Sequence, residues 1–299
     1  MKYKIYQNGK ESTDQQKLAF FCEESAGIFE SMRVYDGKIL HLDEHLRRLL
    51  GSAKTVGYKP LPDLKMLRCE LAFAMKASGE TDTSIRLTLW EGGVFVILGT
   101  RVCPAEFYKK GVVLKTSSFP RGNANAFPYQ AKASAYQQAV LASTEPHPNG
   151  VFDWIFLDQG NYLTETRVGN FFIVKYLCTD RVCAKPQTRS VQKGGAILLT
   201  PPEHLILNGV TRRFVIKCAL EIGFQVQEIP LTRHDFFNAD EAFLSNTSWE
   251  ILPVRELDGR LIGAGTPGPV TQKLHRFLKR RIHQDVASNH SPGTHQRFR

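Results

Sequence analysis

Residues 27–50 read GIFESMRVYDGKILHLDEHLRRLL, a strand-like run, a turn and a helix-like run in sequence. Residues 27–35 have strand character, and Asp36-Gly37 supplies the turn that ends them. A helix is expected over 43–56, with Leu46, Leu49, Leu50, Ala53 and Val56 as its apolar stripe and Gly57 as its stop. The start of this helix also carries His41-x-x-Glu44-His45. That spacing puts two imidazoles on one helical face and matches a zinc-hydrolase pattern. A zinc site needs a third ligand and an open position, neither of which the sequence identifies, so no metal is expected.

Working outward, residues 3–6 and the Asn8-Gly9 turn read as a hairpin. A second helix is expected over 64–77, and strands over 84–89 and 94–98 around Glu91-Gly92-Gly93. Residues 117–129, SSFPRGNANAFPY, are rich in turn formers and read as a linker. They place a smaller N-terminal domain at 1–116, a linker at 117–128 and a larger domain at 129–283. In the larger part a helix is expected over 131–143 and strands over 152–157, 162–164 and 170–174. A helix over 211–222 closed by Gly223, strands over 224–229 and 242–245 and a last helix from near Val270 follow. Residues 284–299 are polar and aperiodic and read as a disordered basic tail. No internal repeat is found, and the mixture of strands and helices indicates an α/β (α+β) fold in two domains.

The chain has 299 residues, 42% of them apolar and 23% charged, as in an ordinary globular protein. The opening MKYKIYQNGKEST lacks an apolar core, so no signal peptide is expected, and no run of about 18 apolar residues suggests a membrane span. Six scattered cysteines fit reduced thiols and a cytoplasmic protein. The net charge of +10 raises the question of nucleic acid. Most of that excess sits in two places. Seven Lys/Arg face one acid from Gln272 onward, and four face one acid over 176–193. The remaining body is close to neutral, so a nucleic-acid role is not expected.

No G-x-G-x-x-G, P-loop or G-x-S-x-G motif is present, and Cys178-x4-Cys183 has no matching pair. Three separated stretches make joint sense for a phosphate-bearing aldehyde cofactor, which needs an amine, an anion clamp and a carboxylate facing its ring nitrogen. Asn208-Gly209-Val210-Thr211 turns into a helix, whose free N–H groups form an anion site; Thr211 is equally read as a helix cap. Lys132 opens an apolar helix, where burial would lower its pKa toward nucleophilic use; a surface lysine is the plainer reading. Glu165 follows a strand, as a ring-facing acid or a turn residue.

These residues fall into ordered blocks: GIFESMRVYDGKILHLDEHLRRL, AKASAYQQAVLA, LTETRVGNFFIV, LLTPP, ILNGVTR, ADEAFLSNTSWEILPV and DGRLIGAGTPGPVT. Together they resemble the class IV, fold-type IV pyridoxal-phosphate enzymes: branched-chain aminotransferases, D-amino-acid aminotransferases and aminodeoxychorismate lyases. The resemblance runs from about Gly27 to Phe277. It implies pyridoxal 5'-phosphate as cofactor, a small N-terminal α/β domain, a larger domain with a barrel-like sheet, a cleft between them and a homodimer. Lys132 looks like the Schiff-base lysine and Glu165 like the partner of the pyridine nitrogen. Arg48, Val210, Thr211 and Thr247 look like the phosphate contacts, and Tyr136 like a neighbour of the ring oxygen. Phe29, Arg86 and Ser248 fall where these enzymes hold substrate.

Within the family, Ala-Ser-Ala-Tyr after Lys132 and Trp90-Glu91-Gly92-Gly93 differ from the lyase pattern. Arg86 and Ser245-x-Thr247 resemble branched-chain enzymes, so transamination of a branched-chain L-amino acid with a 2-oxo acid is expected. D-amino-acid transamination and aminodeoxychorismate lyase activity stand as alternatives. Asn246 and Trp249 replace small residues beside Thr247, and the indole is expected to narrow the substrate pocket or close its rim. The insertion at 176–193 has no assigned role.

Overall fold

The computed structural model describes residues 4–12, 27–90, 93–99, 103–122, 130–133, 150–177 and 195–288. Two sheets organise them. The first is antiparallel, with order β2-β1-β6-β5-β3-β4. Its strands are β1 (Lys4–Gln7), β2 (Lys10–Ser12), β3 (Ile28–Tyr35), β4 (Lys38–Ile39), β5 (Thr83–Trp90) and β6 (Gly93–Gly99). Helices α1 (Leu42–Thr55) and α2 (Leu64–Ser78) cover one face. Strand β3 alternates buried and half-buried residues along its length. Ile28, Met32 and Val34 thus join Leu46, Leu49 and Ala53 of α1 in one core.

The expected helix over 43–56 is therefore present, shifted by one residue. His41 stands at its N-cap in the left-handed region, with φ of 51°. The two histidines of the zinc-like pattern turn to different neighbours. His41 packs edge-on against Phe214, with ring centroids 4.6 Å apart, whereas His45 points into the core. Among the described residues no group of three or more His, Cys, Asp or Glu is placed to hold a metal.

The second sheet is mixed and curled, with order β12-β11-β10-β13-β14-β7-β8-β9 and β15 beside β14. It contains β7 (Val112–Thr116), β8 (Val151–Leu157), β9 (Leu163–Thr166), β10 (Asn170–Tyr176) and β11 (Ala196–Thr200). The remaining strands are β12 (Gln225–Glu228), β13 (Glu241–Asn246), β14 (Glu250–Leu257) and β15 (Arg260–Leu261). Strand β10 shows why so apolar a run forms one central strand. Phe172 and Val174 face α4 (Val210–Glu221) and α6 (Pro269–Ser288), while Phe171 and Ile173 face a second cluster around Leu163, Leu231 and Phe236. Both sheet faces are covered, so both parities are apolar. Two short helices, α3 (Ala105–Lys110) and α5 (Arg233–Phe237), lie between strands.

Four features differ from the sequence expectations. Strand β7 pairs in parallel with β14 and β8, so 112–116 belongs to the second sheet and the crossing precedes Val112. The start of the expected linker is also built in: Ser117 N donates to Ile155 O at 2.9 Å and Arg121 N to Leu157 O at 2.7 Å. Residues 131–133 are not helical; Ala133 forms an isolated bridge with Ile28. Helix α6 runs to Ser288 because Ile282 and Val286 continue its buried stripe past residue 284. Residues 134–149, 178–194 and 289–299, which hold Tyr136, most of the insertion and the rest of the tail, lie outside the described residues.

The start of α6 shows how tightly this half is specified. The buried Glu241 carboxylate accepts from Val270 N at 2.9 Å and Thr271 N at 2.7 Å, filling two helix-end donors, and from Tyr176 Oη at 2.6 Å. A Cβ at Gly268 would lie 2.0 Å from that carboxyl carbon, so only glycine fits. Among the described residues no helix is long and apolar enough to cross a membrane.

The stacked pair Phe172–Phe243, with ring centroids 5.0 Å apart and neither ring exposed, is the packing centre beneath α4 and α6. Phe243→Ala is expected to cost about 3–5 kcal/mol, read as a lower urea midpoint.

Candidate active site

A cavity of about 310 Å³ lies where the two sheets meet. Its first-sheet wall follows from strand parity. On β3, Ile28, Glu30 and Met32 face α1, so Phe29 and Ser31 face the other way, into the cavity. Arg86 on β5 pairs with Ser31 and therefore shares that face. Its guanidinium lies 3.8 Å from the centroid of the Phe29 ring.

Glu30 is wholly buried on the opposite face of the same strand. Its partners come from α1. His45 Nδ1 lies 2.7 Å from Oε2, and Arg48 donates from Nε to Oε1 at 2.6 Å and from Nη2 to Oε2 at 2.7 Å. Burial acts to raise the Glu30 pKa, but Arg48 and His45 override it and hold the carboxyl well below the usual range. Burial also lowers the His45 pKa, and its Nδ1, facing the Glu30 carboxylate, is the donor of that contact. Arg48 still lines the cavity, and its Nη1 donates to Asn208 O at 3.0 Å.

The second sheet supplies the remaining wall. Gly209 leads into α4, and among the described residues no side chain caps that helix. Its first N–H groups open on the cavity beside Val210 and Thr211, a ready anion site. Thr211 Oγ1 is 3.2 Å from Thr247 Oγ1, which joins the helix end to the turn after β13. Buried Arg212 fixes the helix from behind, donating to Pro201 O at 2.8 Å and Glu228 Oε2 at 2.7 Å.

Glu165, on β9, is the second buried carboxylate. Arg121 forms an ion pair with it, Asn170 Nδ2 donates to Oε2 at 2.8 Å, and Leu207 N donates to the same oxygen at 3.2 Å. Burial raises its pKa, opposed by Arg121, the Leu207 amide and Lys132. Lys132 completes the lining. Burial first, and the Arg48 charge second, push its amine down to about 8. Its Nζ lies 5.0 Å from the Phe29 ring centroid.

Thus Lys132, Arg48, Glu165, Val210, Thr211, Thr247, Phe29, Arg86 and Ser248 all line one cavity, although they come from seven separate places in the chain. Tyr136 lies outside the described residues. Trp249 is not part of the lining. Its ring packs edge-on against Phe152 at 5.2 Å and behind Gly169, where Cζ2 is 3.5 Å from the position of an added Cβ. Sequence reasoning missed Glu30, Arg121 and Asn170 as partners. A signal existed for Glu30, an acid sharing the parity of Ile28, Met32 and Val34. Arg121 gave none, because turn formers surround it.

The donor set fits a phosphorylated aldehyde: an uncapped helix end with an arginine beside it, a buried carboxylate and an amine of lowered pKa, around one cavity. Comparison with known proteins agrees. The family model described as amino-transferase class IV matches residues 27–257. A chain of Methanocaldococcus jannaschii provisionally named a branched-chain-amino-acid aminotransferase is 33% identical over 294 residues, covering 92% of this chain and 95% of that one. The branched-chain-amino-acid aminotransferase of Pseudomonas aeruginosa is 30% identical over 270 residues, covering 84% and 82%. Among solved structures, the branched-chain aminotransferase of Thermoproteus uzoniensis with norvaline superposes with a TM-score of 0.76 at 26% identity, over 95% of this chain and 96% of that one.

His45 gives a pH test of the buried network. Its folded pKa lies below the ordinary value, so on acidification the unfolded chain takes up the proton first and stability falls below about pH 6.5. His45→Gln cannot titrate. The stability advantage of the wild type over this variant, read from urea midpoints, is expected to shrink between about pH 7 and pH 5.

Proposed function

We propose, given that this chain belongs to the class IV aminotransferases and so works with pyridoxal phosphate, that it moves an amino group between a branched-chain L-amino acid and a 2-oxo acid. The observation that carries the site assignment is that Lys132, Glu165 and the uncapped start of α4 face one cavity. The cofactor, when bound, supplies an electron sink that makes the substrate Cα proton removable. Lys132 is the general base that takes this proton and returns it at C4′, a task suited to an amine whose pKa is about 8. Glu165 holds the ring nitrogen. Arg48, Val210, Thr211 and Thr247 hold the phosphate. Phe29, Arg86 and Ser248 form the substrate side, where Arg86 suits a carboxylate. Tyr136 is the proposed neighbour of the ring oxygen.

The branched-chain reading rests on the names of the relatives and on the modest cavity. D-amino-acid transamination and aminodeoxychorismate lyase activity are the competing readings on this scaffold. Homodimerisation and a cytoplasmic setting are proposed on family resemblance; among the described residues Cys69, Cys103 and Cys218 are free thiols. The two-part division of the chain is proposed with its boundary before Val112, where the chain enters the second sheet.

Purified protein supplied with pyridoxal phosphate is expected to gain a visible absorbance band, and borohydride is expected to fix the label on Lys132. Lys132→Ala should abolish turnover; retained turnover would move the reactive amine elsewhere. A panel of L-leucine, L-valine, D-alanine and aminodeoxychorismate, scored by product, should favour L-leucine and L-valine. Pyruvate release from aminodeoxychorismate as the fastest reaction would overturn the transaminase reading.

A further inference from the structure

Helix α1 does more than contribute Arg48. One turn further along, Ser52 is almost fully buried, and its Oγ accepts from Lys132 N at 3.0 Å. Lys132 O in turn accepts from Phe29 N at 3.1 Å. The peptide of the reactive lysine is therefore gripped on one side by α1 and on the other by β3. A hydroxyl buried on a helix face is costly without a partner, and the lysine amide is that partner. Arg48 and Ser52 are four residues apart, so they share a face and lie about 6 Å apart along the axis. Glu30, from the same strand as Phe29, binds two N–H groups of Arg48 and leaves Nη1 against the loop that opens α4.

We propose that Glu30, Arg48 and Ser52 form one positioning device that fixes the distance between the phosphate-binding cation and the reactive amine. This rests on the roles of Arg48 and Lys132 proposed above. The ligand of such a site is a single rigid ring with a phosphate arm at one end and an aldehyde at the other, so both ends must be met at once. A helix sets that separation without needing either end to be filled. Glu30 aims the cation, a bidentate charge-assisted contact that removes its rotamer freedom. Ser52 aims the backbone from which the amine projects. Glu30 and Ser52 touch neither end of the ligand directly; they act through Arg48 and Lys132.

The two ends can be read separately on apoprotein. The probes are pyridoxal 5'-phosphate, pyridoxal lacking the phosphate, and inorganic phosphate as competitor. The readouts are the absorbance of the lysine adduct and its trapping by borohydride. Glu30→Gln is expected to weaken pyridoxal 5'-phosphate capture about ten-fold, with pyridoxal capture unchanged and inorganic phosphate a poorer competitor. Ser52→Ala is expected to weaken adduct formation with both aldehydes equally, without changing competition by phosphate, and Ser52→Thr, which keeps the hydroxyl, to restore it. Equal loss of both aldehydes in Glu30→Gln, or unaltered adduct formation in Ser52→Ala, would overturn the inference. Circular dichroism checks folding, and if Glu30→Gln fails to fold the Ser52 pair decides alone. Arg48→Ala and Lys132→Ala separate the two levels. If they change neither readout, the site assignment itself falls; if they do while Glu30→Gln and Ser52→Ala do not, only the positioning device falls.

Discussion

The burial of the Glu30 carboxylate is the constraint on which the first half of the site depends. An ionised acid with no exposure persists only when donors surround it. Strand parity places Glu30 on the helix-facing side of β3, among Ile28, Met32 and Val34. Helix α1 must then turn His45 and Arg48 toward the strand, and this fixes its rotation about its own axis. With that rotation set, Leu46, Leu49 and Ala53 meet the sheet and Ser52 meets the lysine. A single polar contact in an apolar layer thereby selects one register of helix on strand, which apolar packing alone specifies less sharply.

The second buried carboxylate behaves differently, and the contrast follows from its partners. Glu30 receives two parallel N–H bonds from one guanidinium and a third from an imidazole, and its pKa falls far below normal. Glu165 receives an ion pair from Arg121, but its other donors are the neutral amides of Asn170 and Leu207, and burial prevails. Glu30 is thus committed to holding an arginine, whereas burial sets the direction of the shift at Glu165. Two acids of one residue type shift in opposite directions because their environments differ.

Much of this was legible in the sequence where local pattern and chemistry coincide. The strand–turn–helix of 27–50 carries its own parity and stripe, and the structure follows it to within a residue. The turn into α4 was legible because a glycine before a helix start has a physical reason. What was hidden depended on distant pairing. Strand β7 is five residues long and is defined by its neighbours β14 and β8 rather than by its own pattern. Arg121 sits in a stretch whose turn formers suggest a solvated linker, yet β8 pins that stretch down and carries the arginine to Glu165. The His41–His45 spacing lies on the helix that meets Glu30. His45 matters as a buried donor, a role that needs Glu30, 15 residues away and on another element.

Trp249 shows how a large residue beside a site need not shape it by contact. The indole stands behind the turn 166–169, which closes on itself through Thr166 N to Gly169 O at 2.9 Å and Gly169 N to Thr166 Oγ1 at 3.1 Å. An added Cβ at Gly169 would lie 2.9 Å from Ser245 O, so this turn is packed directly against β13, main chain to main chain. Asn246 is tied to Val168 O across the same gap. This wall of the cavity is therefore held by backbone packing, and Trp249 braces it from outside while Tyr108 Oη anchors the Trp249 carbonyl at 3.0 Å. Arg167 and Val168, on this turn, line the cavity, and Arg167 is held by Asp153 at 2.9 Å. A bulky residue after Thr247 thus backs the cavity wall at Gly169 instead of lining the cavity.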